Sequence, residues 1–416
     1  MKKRKYDTAD IVIFLILLLE AGVLFYTLFY RQCVENMLGS GLFPADMKAY
    51  ILTMQGQESG YSFPYPVLFK LAAFFHLFLG AEASMALATT VLNLASIVFV
   101  KLIFNRCVKE ELTHKMGGKS VLAGMVISLV SVSVFFVSML FTSPLGIYLP
   151  GIKYNYLGVF SPNPFHNATY MAARPFAILS FFWLVALFSH YEKDRFKTLR
   201  RHSNWVEYPA FSVFLLLATM AKPSFTLVLV ATAGLIMVFR LIKSRFANLE
   251  GTILLGLTFL PTFADLLYQY NGVFVPNEGE VGGIGFCFGT IWKLYCGNLF
   301  FAIVLAVGFP LLVLVLNYRE IKTNALFRFS WQIYACGLAT AFLLYEKGFR
   351  APDFNFSWGY MYGIFFAFIG SLAVLLKKTV KGEKPVLLIL QWGAFGCHLL
   401  CGLYYFFLIF EGRMYY

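Results

Sequence analysis

The chain has 416 residues, of which 59% are hydrophobic and 13% charged, against roughly 45–50% and roughly 25% in an ordinary soluble domain. Apolar runs of roughly 20 residues with scarcely a charge exclude a water-soluble fold, because no globular core absorbs them. The 34 Lys and Arg outnumber the 21 Asp and Glu, yet they recur in short clusters between apolar runs, which excludes a nucleic-acid surface and fits the loops of a membrane protein.

The first apolar run, from Thr8 to Tyr30, follows Lys2-Lys3-Arg4-Lys5. It is about twice as long as a signal-peptide core and has no small-x-small cleavage site, so it reads as a retained signal anchor. Further spans are expected near 84–104, 120–142, 174–190, 207–221, 223–240, 251–270, 296–317, 329–346, 359–376 and 386–410. With 9–30 included, the expected fold is an all-α, polytopic bundle of about eleven transmembrane helices forming one domain over 1–416. Most Lys and Arg fall in alternate loops, which puts the N-terminus in the cytoplasm and the C-terminus outside a cell membrane. Segment 66–82 is apolar but carries Lys70 and His76. Counting it as a twelfth span would invert every later loop, so it is expected to be an interfacial helix within a first outer loop of 31–83. The seven cysteines show no zinc spacing, and Cys107, Cys336, Cys397 and Cys401 lie in or beside apolar segments as small hydrophobes do.

The outer loops 31–83, 143–173, 272–295 and 347–358 are long and rich in Pro, Gly, Asn and aromatics, the pattern of loops with a function. In the first, Asp46 precedes a short helical stretch, Met47–Met54, and either caps it or serves as a general base whose pKa desolvation would raise. In the second, Ser161-Pro-Asn-Pro-Phe-His-Asn-Ala-Thr-Tyr170 leads to Arg174 at the expected mouth of a helix. There the helix N-terminus and the guanidinium suit an anion, and Lys222, in Met220-Ala-Lys-Pro-Ser224, can add a second cation from a neighbouring outer hairpin. Both bases can equally snorkel to lipid headgroups. His166 can hold a sugar hydroxyl, accept a proton or order its loop through Asn163 or Asn167. Arg350 and Trp358 lie in a last outer loop whose aromatics can stack on sugar faces or form an interfacial belt. Asn167-Ala-Thr and Asn355-Phe-Ser match the N-glycosylation pattern, and Glu278–Gly285 reads as a flexible segment without phosphate-loop features.

Asp46…Tyr50 followed by Phe63-Pro-Tyr-Pro-Val-Leu68, with Lys222-Pro223 at a later outer hairpin, resembles the GT-C superfamily of polyprenyl-phosphate-sugar-dependent glycosyltransferases. The motifs cover about a tenth of the chain. The resemblance implies a catalytic acid at Asp46, with Glu58 the only nearby candidate for the second acid many members carry. It implies donor-phosphate binding by Arg174 and Lys222, and substrate binding by Tyr50, Tyr65, His166, Asn167, Arg350 and Trp358. The donor would be a polyprenyl-phosphate sugar and the acceptor a lipid-linked or glycan hydroxyl. No cofactor is obligatory, no metal ligands are assigned, and a divalent metal can assist in some relatives.

Three other functions fit the composition. A transporter or flippase of lipid-linked sugars would use the intramembrane acids Glu20 and Asp265 for coupling. A polysaccharide polymerase or ligase would act on lipid-pyrophosphate donors. A purely structural subunit would explain the spans but not the loops. His398, in the last span, is a further buried polar group.

Overall fold

The computed structural model describes residues 8–141, 157–197, 205–273, 283–348, 351–382 and 384–413. Within these the chain is almost entirely helical, with one two-stranded antiparallel ribbon, β1 (Ile284–Phe286) on β2 (Leu344–Glu346), whose register pairs Ile284 with Glu346. Six helices are long and apolar enough to cross a membrane: α1 (Thr8–Leu38), α4 (Ala81–Lys115), α6 (Ala168–Leu187), α8 (Ser224–Lys243), α15 (Ser357–Lys381) and α16 (Pro385–Phe410). Two broken pairs raise the number to eight if each is one span. These are α9 (Leu249–Leu257) with α10 (Leu260–Val273), bent by 47°, and α11 (Leu299–Ala306) with α12 (Gly308–Leu316), bent by 73°. The chain is a multi-pass helical membrane protein.

The other three expected spans are also helical but miss one requirement each. The helix α5 (Ser120–Ser133), with its 3₁₀ extension to Phe136, and α7 (Glu207–Ala221) are too short on their own. The helix α14 (Ala325–Leu343) has the length but carries Arg328 and Gln332, which lower its hydropathy. Two short helices, α2 (Met47–Met54) and α3 (Val67–His76), lie between α1 and α4. At about 1.5 Å per residue α3 has about half the length of the bilayer core.

The break between α11 and α12 is closed from α16. The backbone N–H of Phe309 donates to His398 Nε2 at 3.0 Å, which requires that His398 Nδ1 donate to the Ser138 carbonyl at 2.7 Å. His398 is therefore a fully bonded neutral imidazole that satisfies a helix start where water is absent.

The helix α15 forms the axis. Its apolar segment is buried all round, and α14 packs antiparallel against it through glycines. A Cβ on Gly363 would lie 2.8 Å from Tyr334 Cα, and one on Gly337 would lie 3.0 Å from the Gly359 carbonyl oxygen. Small residues thus let two backbones approach where side chains could not fit.

Helix direction sorts the charges by depth. Lys222, Trp358 and the start of α6 lie at one end of the bundle, whereas Lys243, Arg328 and the cluster Lys377-Lys378…Lys381 lie about a helix length away at the other. At that basic end Asp10 of α1 is buried and pairs with Lys101 at 2.7 Å and with Lys109, both on α4, while Lys101 also donates to Ser128 on α5. Removing only the acid strands two cations, one of them buried. Asp10→Asn is expected to cost about 3–5 kcal/mol, seen as a large drop in thermal midpoint in detergent, and Asp10→Leu with Lys101→Leu is expected to recover most of it.

A second clamp sits just beyond α6. His190 donates from Nδ1 to Asp194 at 2.7 Å and from Nε2 to Glu207 at 2.8 Å. Burial lowers its pKa, but bonds to Glu207 and Asp194 outweigh that and raise it above the ordinary histidine value. A raised folded-state pKa stabilises fully below the unfolded value near 6.5 and is lost as pH rises through the raised value. Thermal midpoints measured from pH 5.5 to 8.5 are expected to fall with pH in the wild type and to lose that component in His190→Gln.

Candidate functional site

The site is built around the start of α6. Asn167 is its N-cap: the side-chain Oδ1 accepts from Tyr170 N at 2.9 Å, so the helix begins at Ala168, six residues before the expected 174. The same oxygen accepts from Thr169 Oγ1 at 2.8 Å and from Lys222 Nζ at 3.1 Å. Lys222 occupies the two-residue turn between α7 and α8, where Pro223 stops one helix and starts the next. Its ammonium also donates to Thr169 Oγ1 at 2.9 Å and stands 4.5 Å from the centre of the Trp358 ring. The three segments that meet here are distant in sequence.

From Asn167 the network runs to the acid. Asn167 Nδ2 donates to the Tyr50 hydroxyl at 3.3 Å, and that hydroxyl donates to Asp46 Oδ2 at 3.2 Å. Asp46 stands at the N-cap position of α2, but its side chain makes no capping bond. The first N–H of α2, at Met47, instead donates to Asn36 Oδ1 at 3.2 Å, so the cap comes from α1 and the carboxylate is turned to Tyr50. Burial, and then the adjacent Asp46 charge, raise the Tyr50 pKa well above its ordinary value. Tyr50 therefore keeps its proton and acts as a donor. Asp46 itself is exposed, so the desolvation expected of it is not found.

Aromatic rings wall the acid. Tyr50 meets Phe63 at 5.2 Å and Phe69 at 6.0 Å, and Tyr65 stands 5.9 Å from Phe63, so Tyr65 lies one ring away from Tyr50. On the other flank His166 and Trp358 are 5.5 Å apart. Burial and then the Lys222 charge lower the His166 pKa to about 3, so its imidazole is neutral at working pH. A Cβ at Gly158 would come within 2.8 Å of His166 Cε1, so only glycine lets the preceding turn fold over the ring. Trp358 is oriented by Asn355 Oδ1, which accepts from its indole N–H at 3.2 Å, and Asn355 Nδ2 donates to Glu346 of β2 at 2.8 Å.

Arg174 differs from expectation. Because α6 starts early, Arg174 lies two turns inside the helix and is 0% exposed. Its Nη1 donates to Asn163 Oδ1 at 2.6 Å, Nη2 contacts Met171 Sδ, and the guanidinium is 5.0 Å from the Phe135 ring and 5.1 Å from that of Phe365. In this structure Arg174 holds the loop before α6 and is sealed from any phosphate. That loop is itself no solvated connector: 158–173 is buried throughout, with Asn163 Nδ2 donating to Val134 and Val137 carbonyls and Gln32 of α1 donating to the Phe165 carbonyl.

Glu58 is exposed in the turn after α2, without a hydrogen bond or ion pair among the described residues. Arg350, the segment 143–156 and most of the glycine-rich stretch lie outside the described residues. Glu20 lies on the exposed face of α1, whereas Asp265 is half-buried on α10 and accepts from Gln269 at 2.7 Å. Among the described residues no three His, Cys, Asp or Glu side chains are grouped to hold a metal ion. Sequence reasoning missed Thr169 as a Lys222 partner, Asn36 as the cap of α2, and Glu346 as the anchor of the Trp358 loop. Of these only Thr169, two residues after a polar residue opening an apolar run, had a local signal.

No family model matches the chain, and no match is found among curated proteins or solved structures.

Asn167→Ala removes a helix cap and the carbonyl that holds Lys222. The expected loss is about 1–2 kcal/mol, read as a lower thermal midpoint, with Asn167→Asp recovering the part due to the cap and Lys222 but not the bond to Tyr50.

Proposed function

We propose that this protein is a membrane glycosyltransferase that moves a sugar from a polyprenyl-phosphate donor to a lipid-linked or glycan hydroxyl on the non-cytoplasmic face. The observation that carries the reading is the hydrogen-bonded path Asp46–Tyr50–Asn167–Lys222, which brings an exposed acid and a cation together at one end of the bundle. The concentration of bases at the opposite end supports a cytoplasmic N-terminus and an outward-facing site. Eleven crossings would require the short helices α5 and α7, the less apolar α14 and both broken pairs to cross as well as the six long helices. The exposed Phe74, Leu77, Phe78 and Leu79 at the end of α3 and just after it suit an interfacial position.

In this reaction Asp46 takes the proton of the acceptor hydroxyl while the acceptor oxygen bonds to the anomeric carbon. The bond from that carbon to the phosphate oxygen breaks, and its electron pair leaves with the polyprenyl phosphate. Tyr50 orients Asp46 by donating to one carboxylate oxygen and leaving the other for the substrate. Lys222, with the start of α6, stabilises the departing phosphate. Tyr65 and Trp358 supply ring faces for sugars, His166 is a neutral hydrogen-bonding group, and Arg174 keeps the supporting loop in place. Glu58 would serve as the second acid and Arg350 as a substrate contact, as the family resemblance implies. The phosphate leaves already ionised, so a divalent metal would assist rather than be required.

The test supplies purified protein with a polyprenyl-phosphate sugar and an acceptor extract. Asp46→Asn is expected to lower kcat by about 100-fold or more with an unchanged thermal midpoint, and Lys222→Met to lower kcat/KM by a comparable factor together with a lower midpoint from its lost bonds to Asn167 and Thr169. Turnover in Asp46→Asn equal to wild type would remove the proposed base. Release of polyprenyl pyrophosphate would favour a polymerase or ligase, and lipid-sugar movement without a new glycosidic bond would favour a flippase.

A further inference from the structure

At the end of the bundle opposite Asp46 a cavity of about 400 Å³ opens between α4, the short helix α13 (Glu320–Thr323), the start of α14 and the end of α15. It is independent of the proposed reaction, since α15 carries Trp358 at one end and this cavity's lysines about 30 Å away at the other. Three lysines, Lys377, Lys378 and Lys381, line one wall. Lys378 is taken by Glu320 of α13 at 3.0 Å. Lys377 and Lys381 make no ion pair or hydrogen bond among the described residues, although the cavity's other carboxylate, Glu111, is exposed on its rim.

The facing wall is the first turn of α14. Asn324 caps it through Phe327 N at 3.1 Å, and this 19-residue helix directs its positive end into the cavity. Lys378 and Lys381 also complement the C-terminal half-dipole of their own helix. That role accounts for a basic helix end, but not for two lysines without carboxylate partners facing a second helix start across an open volume.

We propose that this cavity binds a phosphate group, with Lys377 and Lys381 as the ammonium ligands and the start of α14 as the backbone donor. The phosphate can belong to an anionic phospholipid of the adjacent leaflet, because the cavity lies at helix ends where headgroups reside, or it can be free in solution. A phosphodiester or phosphate monoester offers several acceptor oxygens, which matches two ammonium groups and a turn of N–H donors.

The experiment uses the full chain purified into nanodiscs of mixed phosphatidylglycerol and phosphatidylcholine, with bound lipid measured by native mass spectrometry. A second arm measures the thermal midpoint against added inorganic phosphate in phosphatidylcholine alone. The variants are the single Lys377→Gln and Lys381→Gln, their double variant Lys377→Gln/Lys381→Gln and, as a control for loss of one charge at the same end of the bundle, Lys243→Gln. Each surface lysine is expected to contribute about fivefold to anionic-lipid preference. Phosphatidylglycerol enrichment that falls about tenfold or more in the double variant, but not in Lys243→Gln, supports the site with a lipid ligand. A phosphate-dependent midpoint increase lost only in the double variant supports it with a soluble ligand. Double-variant behaviour equal to wild type in both arms, or a loss in Lys243→Gln equal to that in each single variant, overturns the proposal, and the midpoint without phosphate confirms that the variants remain folded.

Discussion

One amide oxygen, Asn167 Oδ1, accepts from a helix N–H, a threonine hydroxyl and a lysine ammonium at the same time. Three donors on one acceptor fix two elements relative to each other: the first turn of α6 and the hairpin between α7 and α8. The amide nitrogen of the same residue extends the order to Tyr50 and α2. Since the side chain is buried, each of these bonds lacks competition from water and leaving any of them unmade carries a desolvation cost. The candidate site is thus a consequence of how one helix is capped.

The same need to satisfy polar groups away from water explains other irregular features. The non-helical stretch before α6 is buried, and it persists because Gln32, Asn163 and Arg174 bond to its backbone or side chains. His398 serves the interrupted helix in the same way. Irregular backbone away from water is tolerated where protein groups take the place of water, as they do in these two instances.

The helical bundle was legible in the sequence because 20-residue apolar runs leave little else for the backbone to do, and the basic clusters already indicated which ends lie together. Boundaries were less legible. The start of α6 was expected at Arg174 because Pro175 and the polar run before it look like a helix start, whereas the Asn167 cap and the apolar neighbours of 168–173 let the helix begin earlier and take Arg174 inside. Asp46, Tyr50, Asn167, His166, Lys222 and Trp358 were singled out from residue type and side of the membrane, and the fold gathers them. Their connections were not readable, since the donor that frees Asp46 from capping comes from α1 and the group that aims Trp358 comes from a strand whose pairing spans some sixty residues.

The helix α15, enclosed on every side, also limits how the molecule can move. Its glycines bring α14 into backbone contact, so tilting one half of the protein against the other would pull apart surfaces that have no slack and would expose Ser357-to-Leu376 packing that no lipid tail could replace side chain for side chain. The bent pair α9–α10 and the short helices α2 and α3 lie outside that contact. A spindle held this tightly keeps the groups at its two ends, Trp358 and Lys377, at a fixed separation across the bundle.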